Sequence, residues 1–308
     1  MLLPAIDVHQ HLWPEPLLRA LAHRRTPPML RRHATGWVLR LRGEPESPVD
    51  LADHDPDRRA ALVDTDGLDR ALVAPSVPMG IEALPADAAA PLLEAYHEGV
   101  AALPAKFGAW AAVPLTEPDP DGLARLIDRG FVGACVAADA LSGPEGFDRL
   151  GRVLETLERR QAPLLVHPGP VPAGPHAGMP GWWPALTSYV ASMHVAWHAF
   201  ATWGRHAHPR LRVCFTMLAG LAPLHRERLV ARGGIAVSDP GVFLETSSYG
   251  ARAVDAVVRE VGIDRLVHGS DRPVGSGPEL PSGQAVQNAV LRSNPARLLA
   301  PATLEHAA

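Results

Sequence analysis

The stretch APLLVHPGP, Ala162 to Pro170, holds a strand, its exit and a turn in one short piece of chain. Its apolar run is too short for a helix and shows no polar alternation, the pattern of a strand buried on both faces. His167 ends the run, and the Pro-Gly pair behind it turns the chain away. The layout recurs in LVAPSVP and AAVPL, where a short apolar run again ends in proline, and many of the 32 Pro are used in this way.

Counting such runs yields eight predicted strands, near Ala5–His9, Arg70–Ala74, Gly108–Val113, Val132–Ala137, Pro163–His167, Leu211–Thr216, Val242–Thr246 and Arg265–Gly269. Between them lie stretches of helical period such as DPDGLARLIDRG, several opening with Asp or Pro and closing with Gly, the polarity expected of helix start and stop. Eight buried strands alternating with helices in 308 residues predict an α/β fold, a closed (β/α)8 TIM barrel, as a single domain over 1–308. A doubly wound open sheet is the alternative with a similar pattern. Two segments break the rhythm. Pro14 to Asp55 is too long for a simple connection and is expected to form a small helical or hairpin insertion after the first strand, over the barrel mouth. Pro168 to Pro184 is a Gly/Pro-rich loop ending in Trp182 and Trp183, placed either to close over a substrate or to pack on the rim.

A net charge of -4 and an isoelectric point near 6.4, with scattered arginines, give no reason to expect nucleic acid or an anionic membrane as partner. The expected partner is a small-molecule substrate. Cys135 and Cys214 fall in predicted strands and read as buried free thiols, which suits a reducing compartment. With no basic segment leading into a signal-peptide core, and no run of about 18 apolar residues, the chain is expected in the cytoplasm.

Functional groups of such a barrel gather at the C-terminal strand ends. That rule separates two His-x-His pairs, of which roughly one is expected by chance at this histidine content. His9 and His11, in AIDVHQHLWP, stand at the exit of the first strand with both side chains on one face. His206 and His208, in RHAHPRL, precede the sixth strand at the opposite end and read as surface histidines. A metal held by the first pair needs further imidazole or carboxylate ligands from other strand ends. His167 ends the fifth strand and Asp271, in DRLVHGSDRP, ends the eighth. His268, three residues before Asp271, faces the other way and reads as a packed histidine. His194 and His198 share an i, i+4 spacing on a predicted helix but lack the glutamate of a metalloprotease helix, and they read as an outer helix face.

Four segments in this order, IDVHQH, PLLVHPG, GSDRP and the closing SNPARLL, resemble the amidohydrolase superfamily. Within it the resemblance is to the amidohydrolase-related group that includes aminocarboxymuconate semialdehyde decarboxylase and the resorcylate decarboxylases, and it spans essentially the whole chain. It implies one divalent metal ion, zinc first and manganese as the alternative. It also implies His9, His11, His167 and Asp271 as metal ligands, with Asp271 the catalytic proton carrier, and a homodimer, since members often pair. Binuclear relatives use a carboxylated lysine after the fourth strand; the only lysine here, Lys106, precedes the third.

One position departs from the family pattern. Met217 stands where the group carries a histidine after the sixth strand, and a thioether cannot take or give a proton at neutral pH. Asp271 alone could move the proton, His225 could reach back from the following predicted helix, or hydrolytic chemistry could be lost; the first is the favoured reading. The resulting expectation is a metal-dependent hydrolase of a small amide, ester or lactone, with Asp271 as proton shuttle. The alternatives are a non-oxidative decarboxylase of a small aromatic or muconate-like acid and a non-catalytic barrel that binds a small ligand. Trp13, Met217, Trp182 and Trp183 are the candidate pocket residues.

Overall fold

The chain enters its core with β1 (Ile6–Gln10), buried at every position. The insertion that follows contains a helix (Glu15–His23) and an antiparallel sheet of β2 (Met29–His33), β3 (Gly36–Arg40) and β4 (Ser47–Val49). The remaining strands are β5 (Arg70–Val73), β6 (Phe107–Ala112), β7 (Gly133–Ala137), β8 (Leu164–His167), β9 (Val213–Phe215), β10 (Val242–Glu245) and β11 (Leu266–Val267). The computed structural model describes residues 2–172, 179–236, 238–275 and 283–299.

Strands β1 and β5 to β11 form one parallel eight-stranded sheet in chain order. Backbone bonds bring its two ends together: Val8 N–H donates to the His268 carbonyl (2.9 Å), and Asp271 N–H donates to the His9 carbonyl (3.0 Å). The fold is the expected (β/α)8 barrel, with strands buried on both faces because helices cover the outside. The helix Pro144–Arg159 shows how that cover forms. Phe147, Leu150, Val153, Leu154 and Leu157 fall on one buried stripe at helical spacing. Each such side chain contributes roughly 1.5–3 kcal/mol through removal from water.

Six strands match their expected ranges to within a residue or so at each end, whereas β9 and β11 are shorter. β9 starts two residues late and ends one early, β11 ends two early, and the chain bends sharply beyond both. After β9, Met217 to Leu221 all take left-handed backbone angles, with φ between 43° and 63°. After β11, Asp271 itself has φ of 56°.

Arg59, in the helix Pro56–Thr65, ties the insertion to the barrel. It is buried, donates to the His11 carbonyl (2.8 Å) and the Asp53 carbonyl (3.1 Å), and also bonds Gln10. Burial lowers its pKa to about 10, although Asp7 opposes the shift. His208 corrects one expectation: it is buried beneath the helix end at Ala207, whereas His206 is exposed as expected. Cys135 and Cys214 are buried free thiols. Among the described residues no helix is long and apolar enough to cross a membrane.

Candidate metal centre

Three strand exits converge on one point. His9 and His11 leave β1, His167 ends β8 and Asp271 follows β11. One ligand atom from each of the four lies within 4.8 Å of the others. His9 Nε2 is 3.2 Å from His11 Nε2, and Asp271 Oδ1 is 3.1 Å from His11 Nε2 and 3.7 Å from His9 Nε2. The imidazole rings stand edge to face, with centroids 4.8 to 5.1 Å apart.

The partners of the outer ring nitrogens fix where the protons sit. His9 Nδ1 faces Glu245 Oε2 (3.2 Å), His11 Nδ1 faces the Ala74 carbonyl (3.1 Å) and His167 Nδ1 faces the Pro168 carbonyl (2.9 Å). All three partners can only accept, so each Nδ1 is the donor. In the neutral form of each ring, Nε2 then turns a lone pair toward the centre, beside the Asp271 carboxylate. Four electron-rich atoms at this separation repel one another unless a cation lies between them. Ligand bonds of about 2.0–2.2 Å in a tetrahedral shell produce donor separations of this order. The donor set therefore fits a divalent ion, and the Nδ1 partners are the acceptors that orient metal-binding histidines.

Electrostatics favour positive charge at this centre, whether a metal ion or protons on the imidazoles carry it. Burial opposes a charged His9, but the Glu245 hydrogen bond and the charges of Glu245, Asp271 and Asp7 raise its pKa to about 9. Burial also works against ionised Asp271, yet the His11 hydrogen bond and the three imidazoles hold its pKa at about 2. His167 is pushed well below the ordinary histidine value by burial and by His9 and His11.

Sequence reasoning missed Glu245. This carboxylate ends β10, is fully buried, and accepts from Met217 N–H (3.2 Å), Ser247 Oγ–H (2.7 Å) and Ser247 N–H as well as His9. Gly269 makes room for it, since a Cβ there would lie 2.1 Å from Glu245 Oε1. The signal was present in FLETSS, an acid at the C-terminal end of a barrel strand. Asp7 does comparable work within β1: it accepts from His9 N–H (3.0 Å), Ser270 N–H (3.2 Å) and the Gln10 amide (2.8 Å).

The pocket candidates separate. Trp13 stacks on His54 (4.2 Å between rings, 14° between planes), and its indole donates to Ser76 Oγ (2.8 Å), bridging the exits of β1 and β5. Met217 is buried, and its backbone N–H is held by Glu245. Trp182 is 56% exposed and packs on Trp183, and neither makes a ring contact or hydrogen bond with the four-donor cluster among the described residues. Residues 173–178 of their loop lie outside the described residues. His225 does not reach back to the centre; its ring lies against His194 instead. Tyr189 was not foreseen: its hydroxyl donates to Glu44 Oε1 (2.7 Å) in the insertion. Burial, then Glu44, then the Asp271 charge raise the Tyr189 pKa.

No match was found among curated proteins. Solved structures that share the fold include an IDCase from Metarhizium anisopliae in apo form, 18% identical with TM-score 0.77, covering 96% of this chain and 97% of the other. The 2,6-dihydroxybenzoate decarboxylase from Rhizobium is 18% identical with TM-score 0.68, covering 99% of this chain and 100% of that one. A 5-carboxyvanillate decarboxylase mutant from Novosphingobium aromaticivorans, with bound manganese and 3-methoxy-4-hydroxy-5-nitrobenzoic acid, is 15% identical with TM-score 0.73, covering 96% and 97%. These neighbours are decarboxylases, and they overturn the expectation of amide, ester or lactone hydrolysis. The physical reason for that error is that a polarising cation and a nearby carboxylate serve both reactions, so the donor set alone does not choose between them. The chain belongs to the amidohydrolase family, whose sequence model matches residues 6–300.

Proposed function

We propose that this protein is a metal-dependent, non-oxidative decarboxylase of a small aromatic or muconate-like acid. The observation that carries the reading is the cluster of three imidazoles and one carboxylate, their ligand atoms gathered at the mouth of a barrel shared with decarboxylases. His9, His11, His167 and Asp271 would hold the ion, manganese or zinc. When bound, it supplies positive charge that holds the substrate's carboxylate and a neighbouring oxygen in place.

The chain's own groups do the rest. Glu245, Ala74 and Pro168 keep the three imidazoles oriented. Trp13, two residues beyond His11 and bonded to Ser76, and Tyr189, which feels the Asp271 charge, would offer aromatic surface to a flat ring. Asp271 Oδ2 has no hydrogen-bond partner among the described residues, which leaves it available to carry a proton. An anionic substrate beside Asp271 raises its pKa toward the working range. Protonated there, Asp271 delivers the proton to the carbon bearing the carboxylate. The bond between that carbon and the carboxylate then breaks, its electron pair returns to the conjugated system, and carbon dioxide leaves. Water restores the Asp271 proton. Met217 takes no part in this transfer, which is why the reading survives loss of the histidine at that position.

The test is carbon dioxide release from a panel of hydroxybenzoates and muconate-like acids, with protein loaded separately with manganese and with zinc. Release from at least one acid, abolished in Asp271→Asn, is the expected result. No release from any of them with either metal would move the protein to a ligand-binding barrel without turnover.

A further inference from the structure

We propose that a cavity on the outer flank of the barrel binds a neutral, hydroxyl-bearing aromatic molecule. The cavity measures about 460 Å³ and includes none of the four donors of the metal centre in its wall. That volume lies within the range of roughly 300–1,000 Å³ usual for small-molecule sites.

The space exists because the outer layer of helices is thin here. The helix Arg226–Ala231, which follows β9, has six residues, against sixteen in Pro144–Arg159. Phe215 of β9 and Val242 and Leu244 of β10 therefore line a cavity on the outer face of the sheet. On the other side, the helix Ser188–Ala199 runs into the wider π-helical turn Phe200–Gly204, a feature that recurs at functional sites. Trp197 and Phe200 supply its aromatic walls, both edge-on to Phe215 with ring centroids 5.4 and 6.1 Å away. A flat ring finds partners there.

The polar groups decide what the ring can carry. Each guanidinium in the wall already has an acceptor: Arg205 has Asp239 (2.6 Å), Arg226 has Glu260 (3.5 Å), Arg210 has Glu158 (3.9 Å) and Arg265 has the Pro240 carbonyl (2.9 Å). A carboxylate would have to displace one of these or enter apolar surface unpaired, which is costly. A hydroxyl meets no such barrier. Arg205 Nη2 is buried without a hydrogen-bond partner and lies over Gly241, also in the wall, where a Cβ would come within 2.9 Å of it. His198 lines the cavity as well, and neither of its ring nitrogens has a hydrogen-bond partner among the described residues. Burial, followed by the His225 charge, lowers the His198 pKa, so its ring is neutral at neutral pH and keeps an acceptor nitrogen. One orphan donor and one orphan acceptor suit a phenolic O–H, which both accepts and donates.

The site does not depend on the decarboxylase reading, although loss of carbon dioxide from a hydroxybenzoate leaves a molecule of this class. Its test needs no turnover. The probes are 2-naphthol and 2-naphthoate, one flat shape carrying a neutral hydroxyl or an anionic group at about pH 7. Isothermal titration calorimetry measures each against wild type, His9→Ala/His11→Ala and Ala201→Trp, the last placing a bulky ring at an exposed wall position. Naphthol should bind wild type and the barrel variant alike, about tenfold or more tightly than naphthoate does, and should bind Ala201→Trp about tenfold or more weakly. Should Ala201→Trp fail to fold by circular dichroism, Arg226→Trp, also at an exposed wall position, replaces it. Naphthol binding that survives the wall substitution, or that is lost in a folded barrel variant, overturns the proposal, as does naphthoate binding equal to or tighter than naphthol. Absence of naphthol binding overturns it too, and a dimer that the wall substitution dissociates in sedimentation would then assign the cavity to a second copy of the chain.

Discussion

The two sides of the barrel mouth are built differently. On the side of β1, β8 and β11, polar side chains point inward as donors, each from a residue whose type announces metal chemistry. On the side of β9 and β10, a buried methionine follows the strand, the backbone runs left-handed through Met217, Leu218, Ala219, Gly220 and Leu221, and a buried glutamate bonds back across the site. Non-glycine residues in that conformation cost about 1 kcal/mol or more each. The surrounding bonds, including Met217 N–H to Glu245 and Ala219 N–H to the Thr216 carbonyl (2.9 Å), hold the turn in place. The difference teaches that one side supplies the reactive atoms and the other supplies their orientation.

The sharpest way to break the comparison is at Asp271. If the donor side alone moves the proton, Asp271→Asn should lower carbon dioxide release by about 10²–10⁴-fold, the range of a lost general acid. Metal content measured on the same sample separates the two duties of this residue. Near-full metal with lost turnover isolates proton transfer, whereas turnover close to wild type would remove Asp271 from the mechanism.

The next effect concerns a second buried carboxylate at the same mouth, Glu82 after β5. Glu245 accepts from His9, from Met217 N–H and from both the N–H and the hydroxyl of Ser247, but Glu82 Oε2 has no partner among the described residues. Burial, helped by Asp139 and opposed by a backbone hydrogen bond, raises the Glu82 pKa to about 7. The folded state therefore holds this proton more tightly than the unfolded chain does. Stability should be undiminished below about pH 4.5 and fall as pH rises to about 7, by at most about 3 kcal/mol. Glu82→Gln should cancel that loss, so chemical denaturation at pH 8 should show the variant more stable than wild type and at pH 4 nearly equal. Equal stability of the two proteins at pH 8 would mean that Glu82 finds a cationic or solvent partner when ionised.

Glu245→Gln tests the orienting side directly. The amide keeps the volume but removes the charge opposite His9 Nδ1, and it can turn an N–H toward that nitrogen. Metal affinity should fall by about 10–100-fold, the usual consequence of losing such a partner. Competition with a chelator of known affinity measures it. An unchanged affinity would reduce Glu245 to packing.

The same asymmetry explains what the sequence could reveal. His9, His11, His167 and Asp271 were legible because few residue types bind metals, and strand exits are recognisable from the apolar runs that precede them. The eight strands were legible for the same reason, since LLVH or GACVA cannot be exposed on either face. Glu245 and Arg59 were not, because their importance comes from partners distant in the chain: His9 and Met217 for the first, His11 and Asp53 for the second. The left-handed turn was hidden because four of its five residues, Met217, Leu218, Ala219 and Leu221, have no intrinsic preference for it. His225 stays away from the metal centre, in keeping with the favoured reading that Asp271 acts without it, and lies against His194 beyond the turn through Gly220.

Met217 itself should produce the smallest effect, and it decides what the orienting side contributes chemically. Its side chain is buried, so truncation to alanine would mix a cavity with any loss of function. Leucine avoids the confusion, because a Met-to-Leu exchange conserves volume and usually costs less than about 1.5 kcal/mol. If the thioether only fills space above the donors, Met217→Leu should keep turnover within a few-fold of wild type and leave metal affinity unchanged, because the backbone N–H to Glu245 remains. A sulfur that touched the ion would behave otherwise: thioether ligands favour soft cations, and its loss would shift the metal preference measured by competition between manganese and zinc. A change in that preference, with stability preserved, would move Met217 from the orienting side to the donor side and end the division drawn between them.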